Sequence, residues 1–489
     1  MNFLDRAIGA ISPKAAAERL YWRTVIDEAR GFDAARLDRR TRGWQATGTS
    51  ANAEAASGLD RLRFRCRELE RNNAYAAAIF RRLPSHMVGG GITPRISGKR
   101  ISKRVRDNWW KFVSTSDRHT RTSFNAQLWL ACRAIVRDGE VLLVWRDTPD
   151  VDAPIAVDVL EADHLDTGKT EARGDATIIQ GVEFNADGER VAYWLFDHHP
   201  GEVVSRSATR WQSRRVDATR VDHVFDVLRP GQARGIPWLA PVALKMRDIA
   251  EYEDAELIRK KIEACFTAFV KKIDEGAGTI AQSSKEKETG RRIERISPGL
   301  IHYLGVNEDV QFGSPQSSAG IGEYLRVQSQ SAAAGAGVTY SMMTGDLSQA
   351  NYSSMRAGKL DFWLDLDHWQ WDMIVPMILA PAWRRVHQAF ARVGKGPRDV
   401  PPCDWSMPPR PMVDPDKDGK AIERDLRLGR KTWPQMVAET GEDPEEQAEE
   451  VEKWSPRLKA AGVDFGAKSA GDATAPVDDN GDANDTAQD

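Results

Sequence analysis

An α+β protein is what this sequence predicts, and three observations predict it. Between Asp138 and Leu228, short apolar runs alternate with turn chemistry. On either side of that stretch, apolar residues recur every three or four positions, the period of a helix. A Gly- and Pro-rich segment then opens a helix of roughly 23 residues, about 35 Å at 1.5 Å per residue.

Residues 1–58 are polar, Arg-rich and broken by Gly, Ser and Ala, which predicts a loosely ordered arm with short helices. Residues 59–84 read as one helix: Leu62, Cys66, Leu69, Ala76, Ile79, Phe80 and Leu83 keep the helical steps, and Pro84 with Gly89-Gly90-Gly91 ends it. A further helix holds Trp109, Trp110 and Phe112, and another holds Phe124, Leu128 and Trp129. Asp138-Gly139 turns into GEVLLVW, and PIAVDVL, ATIIQGVEF, RVAYWLF and Val221–Leu228 follow as strands. Asn185-Ala186-Asp187-Gly188 joins ATIIQGVEF to RVAYWLF, and the spacing predicts an antiparallel sheet.

The segment RPGQARGIPWLAP opens the long helix, with Pro237 and Pro241 in its first turn, where a missing N–H costs nothing. Val242, Met246, Ile249, Tyr252, Ala255, Ile258 and Ile262 read as one continuous apolar stripe, opposite a face with Glu251, Asp254 and Lys261. A small strand-bearing insert follows, from Phe266 to about Gln316, and then a helix at 321–334. The polar loop GDLSQANYSSMRAG leads into a Trp-rich helix from Lys359 to about Val386. Residues 400–415 form a Pro-rich extended connector, and two or three short helices fill 416–462. From Gly466 onward there are six Asp, one Lys and no aromatic residue; so little apolar surface cannot offset ordering entropy, and disorder is expected.

The net charge of -3 over 489 residues hides an asymmetry. Residues 1–110 carry 22 Lys/Arg against 11 Asp/Glu, a net of +11, and residues 416–489 carry 10 against 19, a net of -9. The two ends are therefore expected to face different partners. Cys66, Cys132, Cys265 and Cys403 are far apart, without CxxC or zinc spacing, and read as free thiols of a reducing compartment. No signal-peptide core and no apolar run long enough for a membrane span is visible. Sixteen tryptophans suit broad aromatic packing or protein–protein contacts.

Enzymatic motifs are sparse. No GxxxxGK[ST] loop is present; Gly358-Lys359 has Ser353 where the first glycine belongs, so nucleotide phosphates have no backbone cradle. Asp414-Pro415-Asp416-Lys417-Asp418-Gly419 matches half of a calcium loop, but position twelve is Asp425 and Asp414 reads more simply as a helix cap. His198-His199-Pro200-Gly201 reads as a turn, and His368 among Trp363, Trp369 and Trp371 as a packed histidine. Asp361, Asp365 and Asp367 read as a solvated helix face, since no companion acid or base marks a nuclease. No catalytic residue, metal or cofactor is expected.

Several blocks in order resemble the lambda-type family of phage portal proteins over roughly residues 60–455. They are RFRCRELERNNAYAAAIFRRLPSHMVGGGITP, DGEVLLVW, IIQGVEFNADGERVAYWLFDHHPG, VDHVFDVLRPGQARGIPWLAPV, LGVNEDVQFGSP and TGDLSQANYSSMRAGKLDFW. Two departures are Cys66, where a small hydroxyl residue is expected, and the Ala-rich stretch QSQSAAAGAGVTYSMM. The resemblance implies an α+β portal fold in a homomeric ring, usually twelve-fold, with a strand-rich wing, helical stem, small clip and helical crown. Laid along the chain, it gives an arm (1–58), wing (59–235), stem helix (236–263), clip (264–320), second stem helix (321–337), channel loop with wing helix (338–400), crown (401–465) and acidic tail (466–489).

The same resemblance implies a ring at one capsid vertex, assembled in the host cytoplasm. Double-stranded DNA would pass through it without sequence specificity. Its partners would be the large terminase, the major capsid protein and the head–tail connector or adaptor; no membrane is implied. DNA-channel candidates are Glu251, Asp254 and Lys261 on the long helix, and Asp346, Ser348, Gln349, Asn351 and Tyr352 in the polar loop. A capsid shell protein would need no long stem helix, a packaging ATPase or nuclease would need the missing motifs, and a scaffold would be helical and acidic throughout.

Overall fold

The computed structural model describes residues 48–96, 102–118, 121–202, 212–265, 320–348, 351–412 and 414–462, the strand pieces 269–272, 284–285, 292–293 and 308–311, and positions 14, 39, 43 and 46. The expectations for most of the arm, most of the clip, Gln349, the Cys265 side chain and the tail from Gly466 fall outside the described residues. The chain divides into two units, Met1–Glu54 and Ala55–Asp489, and the second carries all the described strands. Among the described residues no helix is long and apolar enough to cross a membrane.

The expected 59–84 helix is two helices, α1 (Ala51–Asn72) and α2 (Ala74–Val88). Asn73 makes the break. Its side-chain oxygen accepts from the Tyr75 and Ala76 N–H groups, both at 3.0 Å, and its amide donates to the Met246 carbonyl at 3.2 Å. An Asn at this position caps a new helix. Pro84 does not end α2, because Leu83, Met87 and Val88 are buried on either side of it and tertiary packing overrides the local breaker. Strand β1 (Thr93–Arg95), α3 (Ser102–Thr115) and α4 (Phe124–Asp138) follow.

The strand-rich stretch forms two antiparallel sheets, where the sequence predicts one. Strand β2 (Glu140–Asp147) lies between β3 (Ile155–Glu161) and β9 (Val221–Phe225). Strands β4 (Glu171–Arg173), β5 (Ala176–Ile179), β6 (Val182–Phe184), β7 (Arg190–Phe196) and β8 (Ser213–Asp217) form a meander in that order. ATIIQGVEF is thus a hairpin, because Gln180-Gly181 turns the chain between Ile179 and its partner Val182, with Gln180 at φ 48°. β2 is the wall shared by two cores. Val141, Leu143 and Trp145 join the main core, while Leu142 and Val144 join a second one with Val182, Tyr193 and Leu195. Burial on both faces explains why β2 reads as a continuous apolar run.

The long helix is α5 (Ala243–Cys265), followed by pieces β10 (Phe269–Lys272), β11 (Ser284–Lys285), β12 (Arg292–Ile293) and β13 (Glu308–Gln311), paired β10 with β13 and β11 with β12. Next come α6 (Ile321–Gly335), α7 (Tyr340–Thr344) and α8 (Tyr352–His368). α8 runs on through a π-helical segment, Trp369–Leu379, into α9 (Ala380–Arg392). Pro376 inside that segment has no N–H to give, and widening to π spacing lets the helix continue past it. The Pro-rich connector carries β14 (Asp404–Ser406), paired with β1. Trp405 enters an aromatic cluster in which Trp109 lies 5.6 Å from it, 5.3 Å from Trp383 and 5.7 Å from Phe124. The last helices are α10 (Pro415–Arg427), α11 (Trp433–Glu439) and α12 (Pro444–Ala460).

Candidate functional site

The candidate channel elements are α5 with α6 and the loop after α7. α5 begins at Ala243, so Pro237 and Pro241 stand in the turn ahead of it rather than in its first turn. α6 lies close against its start. A Cβ on Gly335 would come within 2.4 Å of Val242 Cγ1, and Ala332, Ala333 and Ala336 are buried beside it. The Ala-rich stretch is what permits this approach. Lys245 Nζ donates to Ser331 Oγ at 2.6 Å, and the Tyr252 and Tyr324 rings meet at 5.3 Å.

The apolar stripe of α5 is not one face. Val242, Met246 and Ile249 are buried, yet Tyr252, Leu257 and Ile258 are exposed, Ile258 to 56%. Each step of three residues falls about 60° short of a full turn at 3.6 residues per turn, so the steps from Ile249 to Ile258 wind the stripe around the helix. Ile258 therefore emerges seven residues after Glu251 and three before Lys261, among the charges. Glu251, Asp254 and Lys261 are all exposed, and Glu251 accepts from Arg247 Nε at 2.7 Å.

The loop is locally ordered by its own polar groups. Thr339 caps α7, and the Asp346 carboxylate accepts from the Ser348 N–H at 2.9 Å and from the Tyr340 hydroxyl at 3.1 Å. These bonds, Ser348 first, hold the Asp346 carboxyl below its usual range. Arg82 donates to the Ser341 carbonyl at 3.3 Å and to that of Met342. Asn351 caps α8 in a reciprocal box with Ser354. Tyr352 is drawn toward α10: Arg356 donates to its hydroxyl at 3.0 Å, and Lys417 lies 5.1 Å over its ring. Asp346, Ser348, Asn351 and Tyr352 thus share one segment, whereas Glu251, Asp254 and Lys261 lie on a separate helix.

Sequence reasoning missed a buried ionic clamp. Glu140, fully buried, accepts from Arg234 Nε at 3.0 Å, Arg63 Nη2 at 3.1 Å, His223 Nε2 at 2.9 Å and the Gly235 N–H at 2.9 Å. Burial alone would raise its carboxyl, but the Arg234 charge and the His223 bond outweigh it and hold it well below the carboxylate range. Burial pushes the His223 ring below its usual range, and its Nε2 donates to the Glu140 carboxylate, which can only accept. The backbone is fitted to this contact: a Cβ on Gly235 would lie 2.1 Å from the Gly139 carbonyl oxygen. No local pattern in the sequence links Glu140 to Arg63, His223 and Arg234, which stand far apart along the chain. Next to the clamp, Arg67 and Arg137 bind the buried Asp138.

Glu161, Asp163 and His199 bring ligand atoms within 4.8 Å of one another. Arg137 already donates to Glu161 at 2.7 Å, and Arg67 pairs with Asp163, so guanidinium groups fill the cationic role there. Asp414 caps α10, accepting from the Lys417 N–H at 3.2 Å. His368 is not packed: it is exposed and bonds Asp372 at 2.8 Å, because the π segment turns Trp369 inward and leaves His368 on the solvent side. Asp361 and Asp365 are exposed. Cys66, Cys132 and Cys403 are free thiols.

A family model and curated relatives point to one family. The model for "Phage portal protein, lambda family" matches residues 37–370. A probable portal protein of Halomonas phage phiHAP-1 is 25% identical over 89% of this chain and 88% of its own length. Portal protein B of Escherichia phage lambda is 20% identical over 86% of this chain and 88% of its own. Among solved structures, the neck of an empty GTA particle aligns with a TM-score of 0.45 at 13% identity, covering 82% of this chain and 98% of that one. An HK97-family phage portal protein from Corynebacterium diphtheriae aligns at 0.34 and 10%, covering 73% and 96%. With the family model spanning well over half of its length, the chain belongs to the lambda family of phage portal proteins.

Proposed function

We propose that copies of this chain close into a twelve-fold ring at the capsid vertex, with α5 lining a bore through which double-stranded DNA is packaged and ejected. The observation that carries this reading is α5 itself. Beyond Tyr252 it leaves Leu257 and Ile258 exposed beside Glu251, Asp254 and Lys261. Exposed apolar surface costs about 25 cal/mol per Å², and neighbouring stem helices in a ring would cover it. The charges are then left for water and DNA.

DNA carries one negative charge per about 1.7 Å, so a basic wall would grip it, most strongly at low salt. Mixed acids and bases let the duplex slide, and ring symmetry multiplies each charge by the copy number. The Gly345–Ser354 loop would reach toward the bore and touch passing DNA without reading sequence. The large terminase, the major capsid protein and the head–tail connector or adaptor would dock on other surfaces of the virion ring, assembled in the host cytoplasm. Packaging work would come from the motor, with no ATP hydrolysis or DNA cleavage by this chain.

The test is a packaging assay with Glu251→Lys and Asp254→Lys rings. Rings should assemble nearly as before, since surface charge changes usually cost under about 0.5 kcal/mol. Packaging should slow at low salt and recover as salt rises. Normal rates at low salt would contradict the channel role of α5.

A further inference from the structure

Two exposed helix faces of this chain are complementary to each other. On α8 and the start of the π segment, Leu360, Leu364 and Trp371 form an apolar row, exposed to 49%, 70% and 44%. Asp361, Asp365 and Asp372 form a second row beside it, with the same steps of four and seven residues, and all three are exposed. Steps of four and seven keep each row on one side of the helix. Of the cations nearby, Arg356 pairs with Asp418 and Arg410 with Asp367, while His368 bonds Asp372 of the row itself and leaves Asp361 and Asp365 as its open acids.

The face of α1 has the opposite character. Phe64 is 55% exposed, and Arg61, Arg65 and Arg71 surround it, all exposed. Among the described residues none of these three arginines has an ion pair. Of the nearby acids, Asp60 pairs with Arg63, while Glu68 accepts from the Asn72 amide and keeps its charge, so three arginines against one acid without an ion pair among the described residues leave the face net positive. An apolar row flanked by acids thus has, on the same chain, an aromatic flanked by arginines.

A head-to-tail ring needs two different faces that fit each other, because its interfaces are heterologous. We infer that the α8 face of one protomer docks on the α1 face of the next, with Phe64 against the Leu360–Leu364–Trp371 row and arginines against aspartates. This rests on the proposed ring and names the partner of that assembly: a second copy of the chain, bound through these two faces. Arginine beside an exposed aromatic is well suited to such a contact, since both are enriched at interface cores.

The experiment uses the full-length chain and two charge-reversed variants. The first carries Arg61→Glu, Arg65→Glu and Arg71→Glu; the second carries Asp361→Lys, Asp365→Lys and Asp372→Lys. Each alone should lose rings at physiological salt, because every interface then opposes like charges. Mixed in equal amounts they should alternate, restore both kinds of contact and form rings with an even number of subunits. Thermal melts of the separate variants check that each is folded, and the neutral versions (Arg→Gln, Asp→Asn) serve where a reversal misfolds; these should weaken assembly at least tenfold. Rings formed by either reversed variant alone, or no rings from the mixture of two folded variants, would overturn the assignment while leaving the ring reading intact. A wild-type chain that stays monomeric at every salt and concentration would instead end both.

Discussion

The region around β2 and the region around α5 handle buried and exposed groups in opposite ways. At β2, charged side chains are fully buried, and each has a partner: Glu140 answers to Arg63, Arg234 and His223, and Asp138 to Arg67 and Arg137. At α5, large apolar side chains lie open: Leu244, Leu257 and Ile258, with Tyr324 and Val327 across on α6. A buried charge is tolerable only when it is paired and hydrogen-bonded, and around β2 those partners are supplied within the chain. Open apolar surface is tolerable only when something else covers it. The contrast separates a region whose buried charges are satisfied within the chain from one that leaves large apolar side chains open to solvent.

The largest effect expected from that contrast is at the clamp. Glu140→Ala leaves Arg63, Arg234 and His223 buried without their shared acceptor, and a loss of about 3–5 kcal/mol in chemical denaturation is expected. A loss below about 1 kcal/mol would show that the clamp is dispensable. Because the folded carboxyl is held below its unfolded value, this contribution is complete above the ordinary carboxylate range. It is lost as pH falls through the depressed folded value.

A smaller effect comes from His387 in the same body. It is fully buried under the Trp383 ring at 4.1 Å, neither ring nitrogen has a hydrogen-bond partner among the described residues, and burial lowers its pKa to about 4. The unfolded chain binds this proton below its ordinary value of about 6.5, while the folded chain resists until about pH 4. Stability should therefore fall between pH 6.5 and pH 4 as acid is added, by about 3 kcal/mol in total. His387→Leu should flatten that part of the stability profile, read by melts across the range. An unchanged profile would remove His387 from the account.

The smallest effect on the protomer is expected on α5. Ile258→Ser removes a side chain that is 56% exposed, so the isolated protomer should change by under about 0.5 kcal/mol. Assembled rings should dissociate more readily, because burying an isoleucine contributes roughly 1.5–3 kcal/mol at each contact. Equal loss in protomer and ring would erase the distinction between the two regions.

Much of the architecture was legible because it rests on local chemistry. Asp138-Gly139 marked the turn into β2, and Asp414 was readable as the cap of α10. What could not be read depends on distant partners. Asn73 looked like one more polar residue in a helix until the Met246 carbonyl, far along the chain, took its amide. ATIIQGVEF looked like one strand because Gln180 is an unusual residue for a left-handed turn position. The α5 stripe looked continuous because counting steps of three and four hides the drift that accumulates when threes dominate. The clamp was illegible for the same reason as Asn73: Arg63, Glu140, His223 and Arg234 are scattered over more than 170 positions, and only the fold brings them together. Of the channel candidates, the exposure of Glu251, Asp254 and Lys261 follows from composition, while their relation to Ile258 required the helix itself.

A ring whose bore is lined by α5 would be visible in a cryo-EM reconstruction of the purified chain. The expected result is a closed ring of about twelve copies of the 54.5 kDa chain, with a central hole and Glu251, Asp254 and Lys261 facing it. Monomers or two-fold dimers at every salt, or a ring with those three residues on its outer rim, would contradict it.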